Sequence, residues 1–119
     1  MPVGSAPEYV TIIYNSSFSG TAAGLLTEAD LRALEDDLVA NPRIGVVIPG
    51  TLGVRKVRVA QEGRGKRGAA RVIYLYIEVQ GRIYLLLAYG KNVQETLTAE
   101  QKRALRTVAA QLKQRGQQS

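Results

Sequence analysis

Apolar residues recur at helical spacing in two stretches of the chain, and the first of these predicts a helix over 28–40. Thr27 can cap this helix together with Asp30, which occupies the third helical position of a capping box. Asn41-Pro42 ends the helix, because the residue before a proline avoids the α region. The apolar face of the helix consists of Leu31, Leu34 and Leu38.

The second stretch predicts a helix over 99–114, with Thr98 and Gln101 as its capping box. Its apolar face consists of Leu105, Val108, Ala109 and Leu112. Each apolar face must be buried, so we expect both helices to pack against the rest of the fold.

Stretches rich in β-branched and aromatic residues predict the strands. The predicted strands are Glu8–Asn15, Val54–Ala60, Ala70–Val79 and Arg82–Gly90, with a short extended piece at Val46–Ile48. The last two strands flank the tight turn Gln80-Gly81 and form a hairpin. Both are apolar on two faces, which places them in the middle of a sheet. The small, polar segment 16–24 is predicted to be a loop.

The element order β-α-β-β-β-α predicts a small α/β fold of the α+β type. We expect a mainly antiparallel sheet of about four strands with the helices packed on it. Residues 1–119 are interpreted as a single domain, in which 1–7 and 115–119 are loose tails.

The chain contains no cysteine and no histidine, which excludes disulfides and thiolate sites and removes the commonest acid–base group and metal ligand. No cluster of carboxylates indicates a metal site, and no cofactor is expected. The sequence has no apolar run that could span a bilayer and no signal-peptide pattern. A cytoplasmic protein without membrane contact is therefore expected.

The positive charge of the chain is concentrated in one segment. The net charge is +6, and residues 55–71 hold seven basic residues and one acid, whereas nine basic and nine acidic residues cancel elsewhere. Such a concentration is typical of a phosphate-binding surface. The alternative is a solvated loop near an acidic neighbour.

Alternation along the predicted strand that begins at Val54 separates its side chains into two faces. Val57 and Val59 should point to one side of the sheet, and Lys56 and Arg58 to the other. Two cations at this spacing are about 7 Å apart, the scale of one phosphodiester repeat. Arg71 opens the next strand, near the loop end of the expected pair.

Two other patterns compete for a functional interpretation. Gly63, Gly65 and Gly68 match the spacing of the dinucleotide-binding fingerprint, but a strand rather than a helix is predicted to follow, so we reject that match. Strand tyrosines could stack on bases or fill the core; they are Tyr74, Tyr76 and Tyr84. The cations Lys102, Arg103 and Arg106 lie off the apolar stripe and are interpreted as a solvated helix face.

Five motifs together resemble the HigB branch of the RelE-like toxins of type II toxin–antitoxin systems, over roughly residues 25–110. The motifs are NP-x-x-G after the first helix, the GT-x-G turn, R-K-x-R-V, the G-x-GK-x-G loop and Y-GKN after the last strand. The resemblance implies a small ribonuclease, an mRNA interferase that enters the A site of the 70S ribosome and cuts the messenger without a metal. It also implies a helix-turn-helix antitoxin as partner.

Carried over by position, the resemblance implies an active site made of basic residues. Lys56 and Arg58 match its strand cations, Arg71 matches the arginine that opens the next strand, and Lys91 matches the basic residue after the last strand. Many relatives have an arginine where this chain has Asn92 and a tyrosine further on, which is absent here. Relatives also have glycine at the position of Leu52 and a helical segment in place of the predicted loop 16–24.

Metal-free cleavage of RNA requires a proton acceptor for the 2′-OH, cations for the phosphorane and a proton donor for the leaving oxygen. Arg58 and Arg71 are the candidate phosphate ligands, because guanidinium binds phosphate oxygens bidentately. Lys56 is a candidate base or acid, since like charges beside it disfavour its charged form. Tyr89 is a weaker candidate.

Four further cations are expected to bind RNA without taking part in the chemistry: Arg55, Arg64, Lys66 and Arg67. The basic segment alone supports a non-catalytic RNA- or DNA-binding module equally well, and a structural protein docked on ribosomal RNA is a further alternative.

Overall fold

The computed structural model describes residues 9–61, 69–91, 93–94 and 96–117, with side chains up to Arg115. The elements are β1 Thr11–Tyr14, α1 Ser16–Ala22, α2 Glu28–Ala40, β2 Val46–Val47, β3 Arg55–Val59, β4 Ala70–Ile77, β5 Arg82–Gly90 and α3 Ala99–Gln117. No helix in this part of the chain is both long and apolar enough to cross a membrane.

The strands form one five-stranded sheet in the order β1-β5-β4-β3-β2. β1 runs parallel to β5, and the other neighbouring strands are antiparallel. The predicted α+β architecture is confirmed, including the central position of the β4–β5 hairpin. The sheet has five strands where about four were predicted, because the two-residue extended piece pairs with β3 as a strand of its own.

The helices cover the two faces of the sheet. On one face, the first core combines α1 and α2 with the sheet and includes Phe18, Leu34, Leu38, Val72, Tyr74 and Leu85. On the other, the second core combines α3 with the sheet and includes Ile73, Leu75, Leu86, Leu105, Ala109 and Leu112. Both predicted helical stripes are therefore buried, as their spacing indicated.

The predicted helix starts are confirmed by reciprocal hydrogen bonds. The Asp30 N–H donates to the Thr27 hydroxyl at 3.0 Å and the Thr27 N–H donates to the Asp30 carboxylate at 2.9 Å. Thr98 and Gln101 make the same exchange at the start of α3. α3 continues to Gln117, three residues beyond the predicted end of that helix.

The prediction of a loop over 16–24 was wrong, because residues Ser16–Ala22 form α1. Phe18 and Ala22, one helical turn apart, are buried in the first core. The Ser17 hydroxyl donates to the Leu86 carbonyl at 2.6 Å, and the Ala88 N–H donates to the Thr21 hydroxyl at 2.9 Å. Contacts with β5 thus stabilise a segment whose Ser and Gly content is unfavourable for a helix.

A β-bulge within β5 changes the side of the sheet that the residues after it face. Ile73 pairs with Leu87 and Tyr74 pairs with Leu85, so Leu86 is an extra residue on β5. As a result, Leu86 and Leu87 both contact the second core, and alternation resumes with Ala88 in the first core. Tyr89 therefore faces the second core, the same side as α3.

The strand tyrosines fill space in the fold. Tyr74 is fully buried, and its hydroxyl donates to the Pro42 carbonyl and accepts from the Gly45 N–H, both at 2.8 Å. Tyr84 is also buried. Tyr76 is half-buried, and the Arg43 guanidinium lies 5.3 Å from its ring centroid. These placements favour the core interpretation over base stacking.

Candidate functional site

Two arginines and a tyrosine form a row across three neighbouring strands. Arg58 on β3 pairs with Arg71 on β4, and Arg71 pairs with Tyr89 on β5. Directly paired residues project from the same face of a sheet, with Cβ atoms about 4.5–5.5 Å apart. The row, called the arginine row below, lies one residue from the end of the sheet, where Val59, Ala70 and Gly90 are the last paired residues.

Among the residues that the structure describes, no acid pairs with either arginine of the row. In the described part of the chain, the only ion pair joins Arg43 to Glu78, at the other end of β4. Like charges directly opposite each other on neighbouring strands destabilise a sheet. The direct pairing of Arg58 with Arg71 therefore does not stabilise the sheet by itself. An anion bound on this face would reduce the repulsion between the two guanidinium groups.

Tyr89 places a buried phenol beside the Arg71 guanidinium. Burial raises the pKa of Tyr89, and the positive charge of Arg71 lowers the pKa in part without cancelling the rise. The hydroxyl makes no hydrogen bond to any residue that the structure describes. At neutral pH the phenol is protonated, so its chemistry is that of a proton donor rather than a base, and because its hydroxyl is buried, donation to RNA requires neighbouring side chains to move.

Lys56 lies on the same face of β3 as Arg58, as the alternation predicted, while Val57 and Val59 contact the first core. It pairs with Val46 on β2 and with Ile73 on β4. Its half-buried side chain lines a groove of about 240 Å³ between the β2–β3 edge and the start of α3.

The structure separates Arg55 from these cations. The Arg55 guanidinium donates to the Gly45 carbonyl at 2.7 Å and to the Arg43 carbonyl at 3.3 Å. It pairs with Tyr74, a residue of the first core, and so lies on the opposite face from Lys56. A role for Arg55 in binding RNA stays a prediction, and its contacts show that it holds the chain before β2.

Of the remaining predicted residues, the structure describes only Lys91. Lys91 is exposed directly after β5, and its N–H donates to the Ala69 carbonyl at 3.3 Å, next to the arginine row. Arg64, Lys66 and Arg67, and the glycine pattern around them, lie outside the described residues. The residues after that pattern form β4, as expected for a rejected dinucleotide motif.

One lysine near this site was not predicted as a site residue, although its assignment to an exposed helix face was correct. Lys102, assigned to a solvated helix face, lines the same groove as Lys56. The sequence held no signal for this arrangement, because only the packing of α3 on the sheet places Lys102 along the same groove as Lys56. In the described residues, no group of three or more Asp or Glu side chains could hold a metal ion.

A family model described as "RelE toxin of RelE / RelB toxin-antitoxin system" matches residues 48–119, which is more than half of the chain. The chain belongs to the RelE toxin family. The matched region contains every strand of the arginine row and the helix α3. All of the predicted catalytic residues lie within it.

A solved relative agrees with this family in fold. The structure of a double arginine-to-alanine mutant of the E. coli toxin RelE in the free state is similar to this RelE-family chain, with a TM-score of 0.50. The likeness covers 76% of this chain and 90% of that chain at 14% sequence identity. At this identity the comparison concerns the α+β fold alone.

Proposed function

We propose that this RelE-family toxin is a ribosome-dependent mRNA endonuclease, and that it cleaves by attack of a 2′-OH on the adjacent phosphorus without a metal ion. The observation that carries the proposal is the arginine row, in which two guanidinium groups without an acidic partner among the described residues share one face with a protonated phenol at the end of the sheet.

The arginines supply the electrostatic part of the reaction. As the O2′–P bond forms, negative charge grows on the phosphorane oxygens, and fixed cations aimed at that charge stabilise it. Arg58 and Arg71 stand on paired strands, which hold a donor within the narrow tolerance that such stabilisation requires. Lys91 adds a further positive charge beyond the end of β5.

The proton transfers are assigned to two other residues. Lys56 accepts the proton of the 2′-OH, and the Tyr89 phenol donates a proton to the 5′-oxygen as the P–O5′ bond breaks. The products are a 2′,3′-cyclic phosphate and a 5′-hydroxyl. The chain lacks histidine, so this is a weak acid–base set, and positioning of the messenger by the ribosome supplies part of the acceleration.

The same proposal includes a partner and a branch of the family. The R-K-x-R-V strand and the Y-GKN motif support assignment of the toxin to the HigB branch. A cognate antitoxin of the helix-turn-helix type would neutralise it in the cytoplasm. The antitoxin and the ribosome are then the two macromolecular partners of the chain.

The test is induction of the gene in cells followed by mapping of messenger 5′ ends. New ends at codon positions of translated messages, together with growth arrest, are expected. We also expect a purified RNA oligonucleotide to be cut poorly in the absence of ribosomes. Efficient cleavage of naked RNA would contradict ribosome dependence, and growth without new ends would favour the alternative of a non-catalytic nucleic-acid-binding module.

A further inference from the structure

A cationic groove adjoins the arginine row and is formed by three elements. This basic groove, of about 240 Å³, is lined by the segment 46–49 that includes β2, by Lys56 of β3, by Thr96 and Leu97 just before α3, and by Lys102 in the first turn of α3. Lys56 is shared with the site described above, so the groove is continuous with that site.

The lining of the basic groove has two chemically different parts. Val46, Pro49 and Leu97 provide an apolar wall, Lys102 provides an ammonium group, and Lys56, the proposed base, provides a second amine. No acidic side chain is present among its described lining residues. An apolar wall with a few placed polar groups is the usual composition of a small-ligand site, and a lysine-bearing lining without described acids favours an anionic ligand.

We propose that the basic groove binds one nucleotide of the RNA, with its base on the apolar wall and its phosphate between Lys56 and Lys102. The inference rests on the proposed RNA-cleaving function and adds a binding residue, Lys102, on a different element from the arginine row. A nucleotide carries both the flat apolar surface and the negative charge that the two parts of the groove require.

The position and size of the groove favour a single nucleotide next to the scissile phosphate. Lys56 and Arg58 are alternate residues of β3, so their positions are about 7 Å apart, one step along an extended RNA backbone. The volume of about 240 Å³ lies below the roughly 300–1,000 Å³ of pockets that hold drug-sized ligands. The groove therefore has room for one base and is a candidate for nucleotide preference.

The first experiment measures binding without cleavage, so that it is independent of the catalytic proposal. Amide chemical shifts of the toxin are followed by NMR during titration with adenosine 5′-monophosphate and, separately, ribose 5-phosphate. We expect the nucleotide to shift Val46, Leu97 and Lys102 and to bind more tightly than the sugar phosphate, because only the nucleotide carries a base. Equal affinities, or shifts confined to the arginine row, would overturn the proposal.

The decisive variant is Lys102→Ala, and Arg103→Ala is its matched control. Both remove one exposed cation from neighbouring positions of α3, but only Lys102 lines the groove. Lys102→Ala is expected to weaken nucleotide binding about 2- to 5-fold, as for one solvent-accessible ion contact. In binding of a single-stranded RNA oligonucleotide, it should reduce the magnitude of the salt slope by about 0.7.

Arg103→Ala is expected to leave nucleotide affinity unchanged. Equal effects of Lys102→Ala and Arg103→Ala on nucleotide binding would overturn the assignment. Lys102 would then contribute only to the general surface charge. Intact nucleotide binding in Lys102→Ala, together with loss of neutralisation by the antitoxin, would overturn it in favour of a protein ligand. Nucleotide binding that depends on Lys102 in a protein that cleaves no messenger would support the groove while refuting the proposed nuclease.

Discussion

Arg71 and Tyr89 are directly paired across β4 and β5, and the Arg71 charge lowers the pKa of a phenol whose burial raises it. The pairing puts the proposed phosphate ligand and the proposed proton donor on one face of the sheet. In the proposed reaction the first stabilises the phosphorane and the second protonates the leaving oxygen. Replacement of Arg71 and replacement of Tyr89 should therefore impair cleavage in different ways.

Replacement of Arg71 by alanine is expected to reduce the single-turnover cleavage rate on programmed ribosomes by about 100-fold or more, the usual cost of one lost transition-state donor. Affinity for the ribosome should change little. Arg58→Ala should behave similarly, and Arg106→Ala, an exposed cation on α3, serves as the control. If Arg71→Ala lowers rate and affinity by the same factor, the arginine row is a binding surface without a catalytic role.

Replacement of Tyr89 by phenylalanine is expected to reduce the rate by about 10²–10⁴-fold, the range for a lost general acid. A messenger with a 5′-thio leaving group at the cleaved bond tests the role directly, because a thiolate leaves without being protonated. The rate of Tyr89→Phe on that substrate should approach the wild-type rate. Equal defects on the oxygen and sulfur substrates would show that the hydroxyl does not donate the proton.

Replacement of Gly45 and of Gly20 by alanine should change the free energy of unfolding in opposite directions. A Cβ at Gly45 would lie 2.8 Å from Tyr74 Cε1 and 2.9 Å from the Lys56 carbonyl oxygen, so Gly45→Ala is expected to lower the free energy of unfolding by about 1–3 kcal/mol. A Cβ at Gly20, inside α1, meets nothing within 4 Å. Gly20→Ala should raise the free energy by about 0.5–1 kcal/mol.

Urea unfolding of the two alanine variants beside wild type provides the measurement. Because Gly45 lies next to Lys56, the Gly45→Ala protein should also lose activity in proportion to any shift of the β2–β3 pairing. An unchanged unfolding midpoint for Gly45→Ala would mean that the segment before β2 adjusts without cost.

The surroundings of Tyr14 predict that the folded protein loses stability at alkaline pH. Its hydroxyl donates to the Glu35 carboxylate at 2.7 Å. Burial, and then the hydrogen bond and charge of Glu35, raise the pKa of Tyr14 from 10.0 to about 12. The folded state therefore holds the proton more tightly than the unfolded state, so this stabilisation is complete below pH 10 and is lost as the pH rises toward 12.

The comparison of wild type with Tyr14→Phe isolates that contribution. The difference in unfolding free energy between the two proteins should shrink between pH 10 and pH 12, with wild type losing stability more steeply. Glu35→Gln should likewise make the unfolding free energy depend less steeply on pH than in wild type. The effect will be small because Tyr14 is 38% exposed. A difference that grows with pH would contradict the assigned direction.

The sequence by itself determined the elements whose information is local. The leucine stripes and capping boxes gave α2 and the start of α3, because hydrogen bonds and apolar spacing within one helix define them. Period-two alternation placed Lys56 and Arg58 on one face of β3, since backbone geometry alone fixes that relation. The apolar β4–β5 hairpin around the turn Gln80-Gly81 was likewise predictable from the sequence.

Only the tertiary structure decided the remaining relationships. α1 forms because Phe18 and Ala22 meet the sheet and because hydroxyl groups of the helix bond β5. Tyr89 joins the arginine row because of the bulge at Leu86, which inverts a simple count along β5. Lys102 reaches the groove of Lys56 only through the docking of α3. Each of these depends on contacts between residues distant in the chain, whose energies no local pattern records.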